Sequence, residues 1–94
     1  MFHMHVYYTA ENAEILAAFF EEVKEAGIIE ETRREEGNKN YEYYFSAERD
    51  NEILIVEEWI DEKSQQYHDG LPHIEQLMKI KEKYGIETRV EAIG

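Results

Sequence analysis

The chain of 94 residues has no cysteine, a single proline and five glycines, and its 10 basic side chains are outnumbered by 22 acidic ones. Without cysteine there are no disulfides, no thiol catalysis and no thiolate metal sites. The net charge of −12 argues against nucleic acid and anionic membrane as partners, since both require a basic face. It reads instead as a solvated acidic surface that keeps a small protein dispersed. No hydrophobic run approaches the roughly 20 residues of a membrane-spanning helix, and no secretory leader pattern opens the sequence. The expectation is a soluble, cytoplasmic protein. There is no linker, repeat or low-complexity tract, so residues 1–94 read as a single domain.

What the chain does have is aromatic side chains: four Phe, seven Tyr and one Trp, or 13% of its residues. With 43% hydrophobic residues it can form a core, though a small one. A homodimer that shares a sheet face would relieve that shortage. Buried tyrosines need hydrogen-bond partners, which a polar cavity or an interface between subunits supplies.

Periodicity predicts the order of elements. Phe2 to Tyr8 alternates as a strand, with Phe2, Met4, Val6 and Tyr8 on one side. Thr9 or Asn12 caps a helix whose apolar face is Ile15, Leu16, Phe19, Phe20 and Val23, and Gly27 ends it. Further helical turns are expected from Ile28 to Glu36, before Gly37. Tyr41 to Ala47 reads as a strand with Tyr41, Tyr43 and Phe45 on one side. A turn over 48–51 leads into the strand from Glu52 to Ile60. Asp61 caps a short helix to about Asp69, Pro72 opens the next, and Gly85 closes it. Ile86 to Ile93 alternates as a last strand with charges typical of an edge.

The result is β-α-β-β-α-β, a ferredoxin-like α+β fold with the first and third strands central. Helices on one face of such a sheet leave the other bare, and a second copy is its simplest cover. The expected assembly is therefore a dimeric α/β barrel.

One stretch stands apart. The apolar strand Ile53-Leu54-Ile55-Val56 ends in Glu57-Glu58-Trp59, and His68 and His73 follow on either side of Gly70-Leu71-Pro72. An acid, an indole and two imidazoles in so short a segment point to the mouth of a pocket. Glu57 and Trp59 share one face of their strand, and a buried carboxylate there must find a partner, a histidine or a tyrosine. Glu58 points the other way. His68 lies at a helix C-terminus, where the dipole favours imidazolium. His73 lies in a first turn, where it favours the neutral ring. On that ground His73 is the expected base and His68 the expected donor to an oxyanion, although either could simply pack the helix junction. Tyr41 and Tyr43 offer hydroxyls to a substrate oxygen, with interface packing as the plainer role. His3 and His5 share a strand face. The four histidines together match no standard metal spacing and no HExxH motif, so no metal is expected.

Glu35-Glu36-Gly37 with Tyr41, then Ile55-Val56-Glu57-Glu58-Trp59, then His68 and Leu71-Pro72-His73, resemble the antibiotic biosynthesis monooxygenase domain family, in particular its small bacterial quinol monooxygenases. The resemblance spans nearly the whole chain. It implies a dimeric α+β barrel with a pocket between sheet and helices, and oxidation of electron-rich phenols or quinols by O₂ without metal, flavin or heme. Asn38 stands where relatives tend to carry cysteine or an apolar residue, and His3 and His5 are not a family feature. Heme-degrading relatives place tryptophan at the position of His68, a histidine near Met78 and an asparagine on the first strand. All three are missing here, which disfavours heme.

Such chemistry asks for a base that makes an electron-rich oxyanion and a pocket that holds the anion and O₂ away from water. The expected function is cofactor-independent monooxygenation of a quinol or polyphenol-like molecule. His68 and His73 would be catalytic, and Trp59, Glu57, Tyr41 and Tyr43 would bind substrate. Isomerisation of a small carbonyl compound and non-catalytic binding of an aromatic ligand are the alternatives.

Overall fold

Alternation in the first and third strands decides the architecture, because both are apolar on the side that must be covered. The computed structural model describes Met1 to Gly94. The elements run β1 (Phe2–Thr9), α1 (Ala13–Glu25), α2 (Ile28–Arg33), β2 (Asn38–Phe45), β3 (Glu52–Trp59), α3 (Glu62–Asp69), α4 (Pro72–Tyr84) and β4 (Glu87–Ala92). The four strands form one antiparallel sheet in the order β2-β3-β1-β4, so β1 and β3 are central as expected. The fold is ferredoxin-like α+β, with each crossover built from two helices. No helix is long and apolar enough to cross a membrane.

One face of the sheet carries Met4, Val6, Tyr8, Tyr41, Ile53 and Ile55. These pack against Leu16, Phe19 and Val23 of α1, Ile28 of α2, and Ile74, Leu77 and Ile80 of α4. This apolar burial is the main source of stability in so short a chain. The opposite face, with His3, His5, Tyr7, Leu54, Val56 and Glu58 half-buried, has no helix over it. β4 is exposed along its whole length.

Local signals explain most element ends. Asn12, rather than Thr9, caps α1 by accepting from the Ile15 N–H at 2.9 Å, and Asp61 caps α3 through Ser64 at 2.8 Å. Gly27 and Gly85 take positive φ after α1 and α4, where other residues would be strained. Two boundaries differ most from the sequence expectation, the other strand ends moving by one or two residues. Helix α2 stops at Arg33 instead of Glu36, and β2 starts at Asn38 instead of Tyr41. Both shifts follow from one anchor, the Ile60 N–H donating to the Gly37 carbonyl at 2.9 Å, which ties the chain to the end of β3. Register then slips between Asn38 and Asn40.

Candidate active site

The turn that ends α2 places the central side chain. The Glu35 N–H donates to Thr32 at 3.1 Å and the Asn38 N–H to the Glu35 carbonyl at 3.0 Å. Gly37 is required next, since a Cβ there would collide with the Ser64 side chain. The missing Cβ lets α3 lie against the turn, and α3 carries His68 to Glu35.

Glu35 then clamps both imidazoles. His68 Nδ1 lies 2.6 Å from Glu35 Oε2, and His73 Nε2 lies 2.9 Å from the same oxygen. The three side chains are 6, 15 and 10% exposed for His68, His73 and Glu35. A carboxylate only accepts, so both facing nitrogens carry the proton and donate. Glu35 Oε1 is buried without any partner.

That clamp leaves the two rings in different surroundings. His68 lines a cavity of about 390 Å³ between the sheet and α3 and α4, together with Met4, Tyr8, Tyr41, Glu57 and Lys81. With Nδ1 committed to Glu35, the nitrogen left for the cavity is Nε2, an acceptor in the neutral ring. His73 does not line this cavity. It borders a separate hollow with Glu35, Tyr67 and Leu71, and its Nε2 is occupied. Contact with a carboxylate decides which nitrogen holds a proton, and a helix-end dipole is the weaker influence.

Glu57 is 5% exposed and accepts the Trp59 indole N–H at 3.0 Å. It does not orient a histidine; Glu35 does. Burial above all, helped by the charges of Asp69 and Glu35 and opposed by the Trp59 hydrogen bond, raises the Glu57 carboxyl from 4.5 to about 7. Near neutrality it therefore exists in both protonation states. Trp59 is fully buried, and its ring centroid stands 4.7 Å from that of His68. It lines a neighbouring hollow with Glu35, Gly37 and Tyr67 instead of the cavity of His68. Tyr41 does line the cavity, and its hydroxyl meets that of Tyr43 at 3.2 Å. Burial raises the pKa of Tyr8, Tyr41 and Tyr43, so all three remain phenols.

Three residues that the structure places at the site were not expected there. Glu35 lies 33 and 38 positions before the histidines it holds, and its place ahead of Gly37 was the only sequence signal. Tyr8 looked like one more apolar position on the first strand. Lys81 projects from α4 with its ammonium 4.8 Å from the Tyr8 ring centroid, and burial lowers its pKa. His3 and His5 lie on the helix-free face, with His3 3.9 Å from Glu58, so the four histidines do not converge.

Comparison with known proteins bears on the fold and the family. No curated protein matches the chain in sequence. A Deinococcus radiodurans protein that carries the family name antibiotic biosynthesis monooxygenase superposes with a TM-score of 0.87 at 22% identity, over 100% of this chain and 91% of its own. A Bacteroides thetaiotaomicron protein of unknown function gives 0.84 at 22% identity, over 98% and 94%. SnoaB, a cofactor-independent oxygenase from Streptomyces nogalater, gives 0.75 at 11% identity, over 99% and 90%. Likeness at these identities speaks for the fold alone. The family model for antibiotic biosynthesis monooxygenases matches residues 1–80, and the chain belongs to that family.

Proposed function

We propose that the protein is a cofactor-independent monooxygenase acting on a quinol or polyphenol-like small aromatic molecule with O₂. The observation that carries this reading is the pairing of Glu35 with His68 Nδ1 at 2.6 Å, which leaves Nε2 as the free acceptor at the cavity. The cavity volume falls in the range of about 300–1,000 Å³ usual for small-molecule sites. Its lining is apolar and aromatic with a few polar groups, which suits a ring bearing hydroxyls.

In this reading His68 Nε2 takes the proton of a substrate hydroxyl, and Glu35 stabilises the resulting imidazolium. The electron-rich oxyanion gives up electrons to O₂ and forms a carbon–oxygen bond at the ring, yielding a peroxide. Loss of the proton on the oxygenated ring carbon turns its C–O bond into C=O as the O–O bond breaks, so one oxygen stays on the product and the other leaves as water. The substrate supplies the electrons; His68 returns its proton to the peroxide, protonated Glu57 gives one to the departing hydroxide, and the ring proton restores it to Glu57. Lys81, the cation of the cavity, lies where negative charge on substrate or peroxide would be held. His73 and Trp59 act through Glu35, Glu57 and His68 as positioning residues. Tyr41 contacts the ring, with Tyr43 behind it. The active form is a homodimer in the cytoplasm, with the helix-free sheet face against a second copy, and it needs no metal or organic cofactor.

The test is oxygen uptake with a panel of hydroquinones and polyphenols after treatment with chelator. Saturable binding of an aromatic ligand without O₂ consumption would make the protein a binding module. The base and acid of the cavity, His68 and Glu57, also favour enolisation, which proton exchange on a carbonyl substrate without O₂ uptake would reveal. Light scattering that gives the mass of one chain at micromolar concentration would remove the dimer.

A further inference from the structure

Two imidazoles and a carboxylate converge beside the cavity, and their donor atoms all lie within 4.8 Å of one another. In the hydrogen-bonded state Glu35 Oε2 receives both protons, while its Oε1 is buried and unpartnered, a costly arrangement for a carboxylate oxygen. A tetrahedral ion with bonds of about 2.0–2.1 Å holds neighbouring donors about 3.3 Å apart. Glu35 Oε2 already lies 2.6 and 2.9 Å from the two nitrogens, so an ion asks chiefly that the nitrogens close on each other, by up to about 1.5 Å from their 4.8 Å limit, which rotation of the two imidazoles supplies. Binding through both carboxylate oxygens would also give the orphaned Oε1 a partner. The ligands come from three anchored places: the turn after α2, the end of α3 and the first turn of α4. A hollow of about 500 Å³, lined by Glu35, His73, Tyr67 and Leu71 among others, gives access and room for a water ligand.

We propose that Glu35, His68 and His73 form an exchangeable binding site for a divalent cation of the zinc, cobalt or nickel type, and that its occupancy switches His68 off as a base. Two imidazoles and one carboxylate suit these ions. The ion binds His68 through Nδ1, on the side away from the cavity, so it does not reach the substrate. An imidazole bound through Nδ1 carries its proton on Nε2. The cavity-facing nitrogen thereby changes from acceptor to donor, with the proton exchanged through solvent and no net change in the charge of the ring. The binding site stands on geometry alone; its inhibitory effect rests on the role of His68 in the reading above.

The test uses the full, untagged chain stripped with chelator and titrated with Co²⁺ and Zn²⁺. One ion per chain is expected, with the visible absorption of Co²⁺ in nitrogen and oxygen coordination. His73→Ala should weaken binding at least tenfold, and His3→Ala/His5→Ala should leave it unchanged. If His73→Ala fails to fold, His73→Gln takes its place, since its amide still donates to Glu35 but ligates poorly. ¹⁵N NMR should show the His68 proton move from Nδ1 to Nε2 on Zn²⁺ binding. Turnover should fall at least tenfold with Zn²⁺ and return with chelator. Binding untouched by the His73 variants, or lost in the His3/His5 variant, overturns the site. A moved proton with unchanged turnover leaves the site standing and removes His68 as the base.

Discussion

The two halves of β3 are buried alike and do different things. Ile53, Ile55, Glu57 and Trp59 face the helices and are 0, 0, 5 and 0% exposed. At one end Ile53 and Ile55 lie opposite Tyr8 and Val6 of β1, and their burial is plain hydrophobic gain. At the other, Glu57 and Trp59 lie opposite Met4 and Phe2, and Glu57 is opposite Tyr41 on the far side. There the fold removes a carboxyl from water, matches it with one indole N–H, and accepts a shifted pKa as the result. Equal burial therefore says nothing about role; the polar end, with the turn at Gly37 and the register slip beside it, is where α3 delivers His68. The apolar half holds the sheet together, and the polar half equips the cavity.

Substitutions on each half separate these roles. The largest expected effect is His68→Ala, which should lower turnover by roughly 10²–10⁴-fold with the fold retained. Full activity in that variant would break the comparison at its functional end. Next, Ile55→Ala should cost about 2–5 kcal/mol of stability by leaving a cavity, read from chemical denaturation, with little change in the pH profile of turnover. Unchanged stability would mean that the apolar half is not the structural one.

Glu57→Gln comes third and has a pH signature. The Glu57 carboxyl binds its proton more tightly folded, at about 7, than at its ordinary 4.5, so the native state holds more protons across that window. Stability should therefore fall as pH rises from 4.5 to about 7, by up to about 3 kcal/mol in all from this group. Thermal denaturation across that range should show the decline in the native protein and a flatter profile in Glu57→Gln, whose amide still accepts the indole N–H. Identical slopes would remove the buried acid from the account. The smallest effect is Trp59→Phe, which keeps a ring beside His68 but drops the N–H. KM should rise several-fold with a smaller change in kcat, measured by steady-state oxygen uptake. A collapse of kcat instead would give Trp59 a direct part in the chemistry.

Much of this was legible in the chain. The alternation in β1 and β3, the helix stops at Gly27 and Gly85 and the cap at Asp61 are set by nearest neighbours, and all appear where the pattern puts them. Glu57, Trp59, His68 and His73 stand out in the chain because polar groups interrupt an apolar run, and the structure brings them together. Their partners were not. The sequence pairs Glu57 with no one in particular, and the helix-end argument gives the base to His73. The clamp at Glu35 depends on a tertiary approach of α3 to the turn after α2, through a glycine contact that no periodicity registers.

By itself the sequence determined the elements, their order, the central place of β1 and β3, and the absence of thiol chemistry, since each is fixed by local periodicity, backbone preference or composition. Only the tertiary structure decided that Glu35 holds both imidazoles, that His68 rather than His73 reaches the cavity, and that Lys81 and Tyr8 join it. The physical reason is that a carboxylate fixes a ring's proton from a distance of under 3 Å, while the chain that connects the two groups runs through more than thirty residues of folded structure.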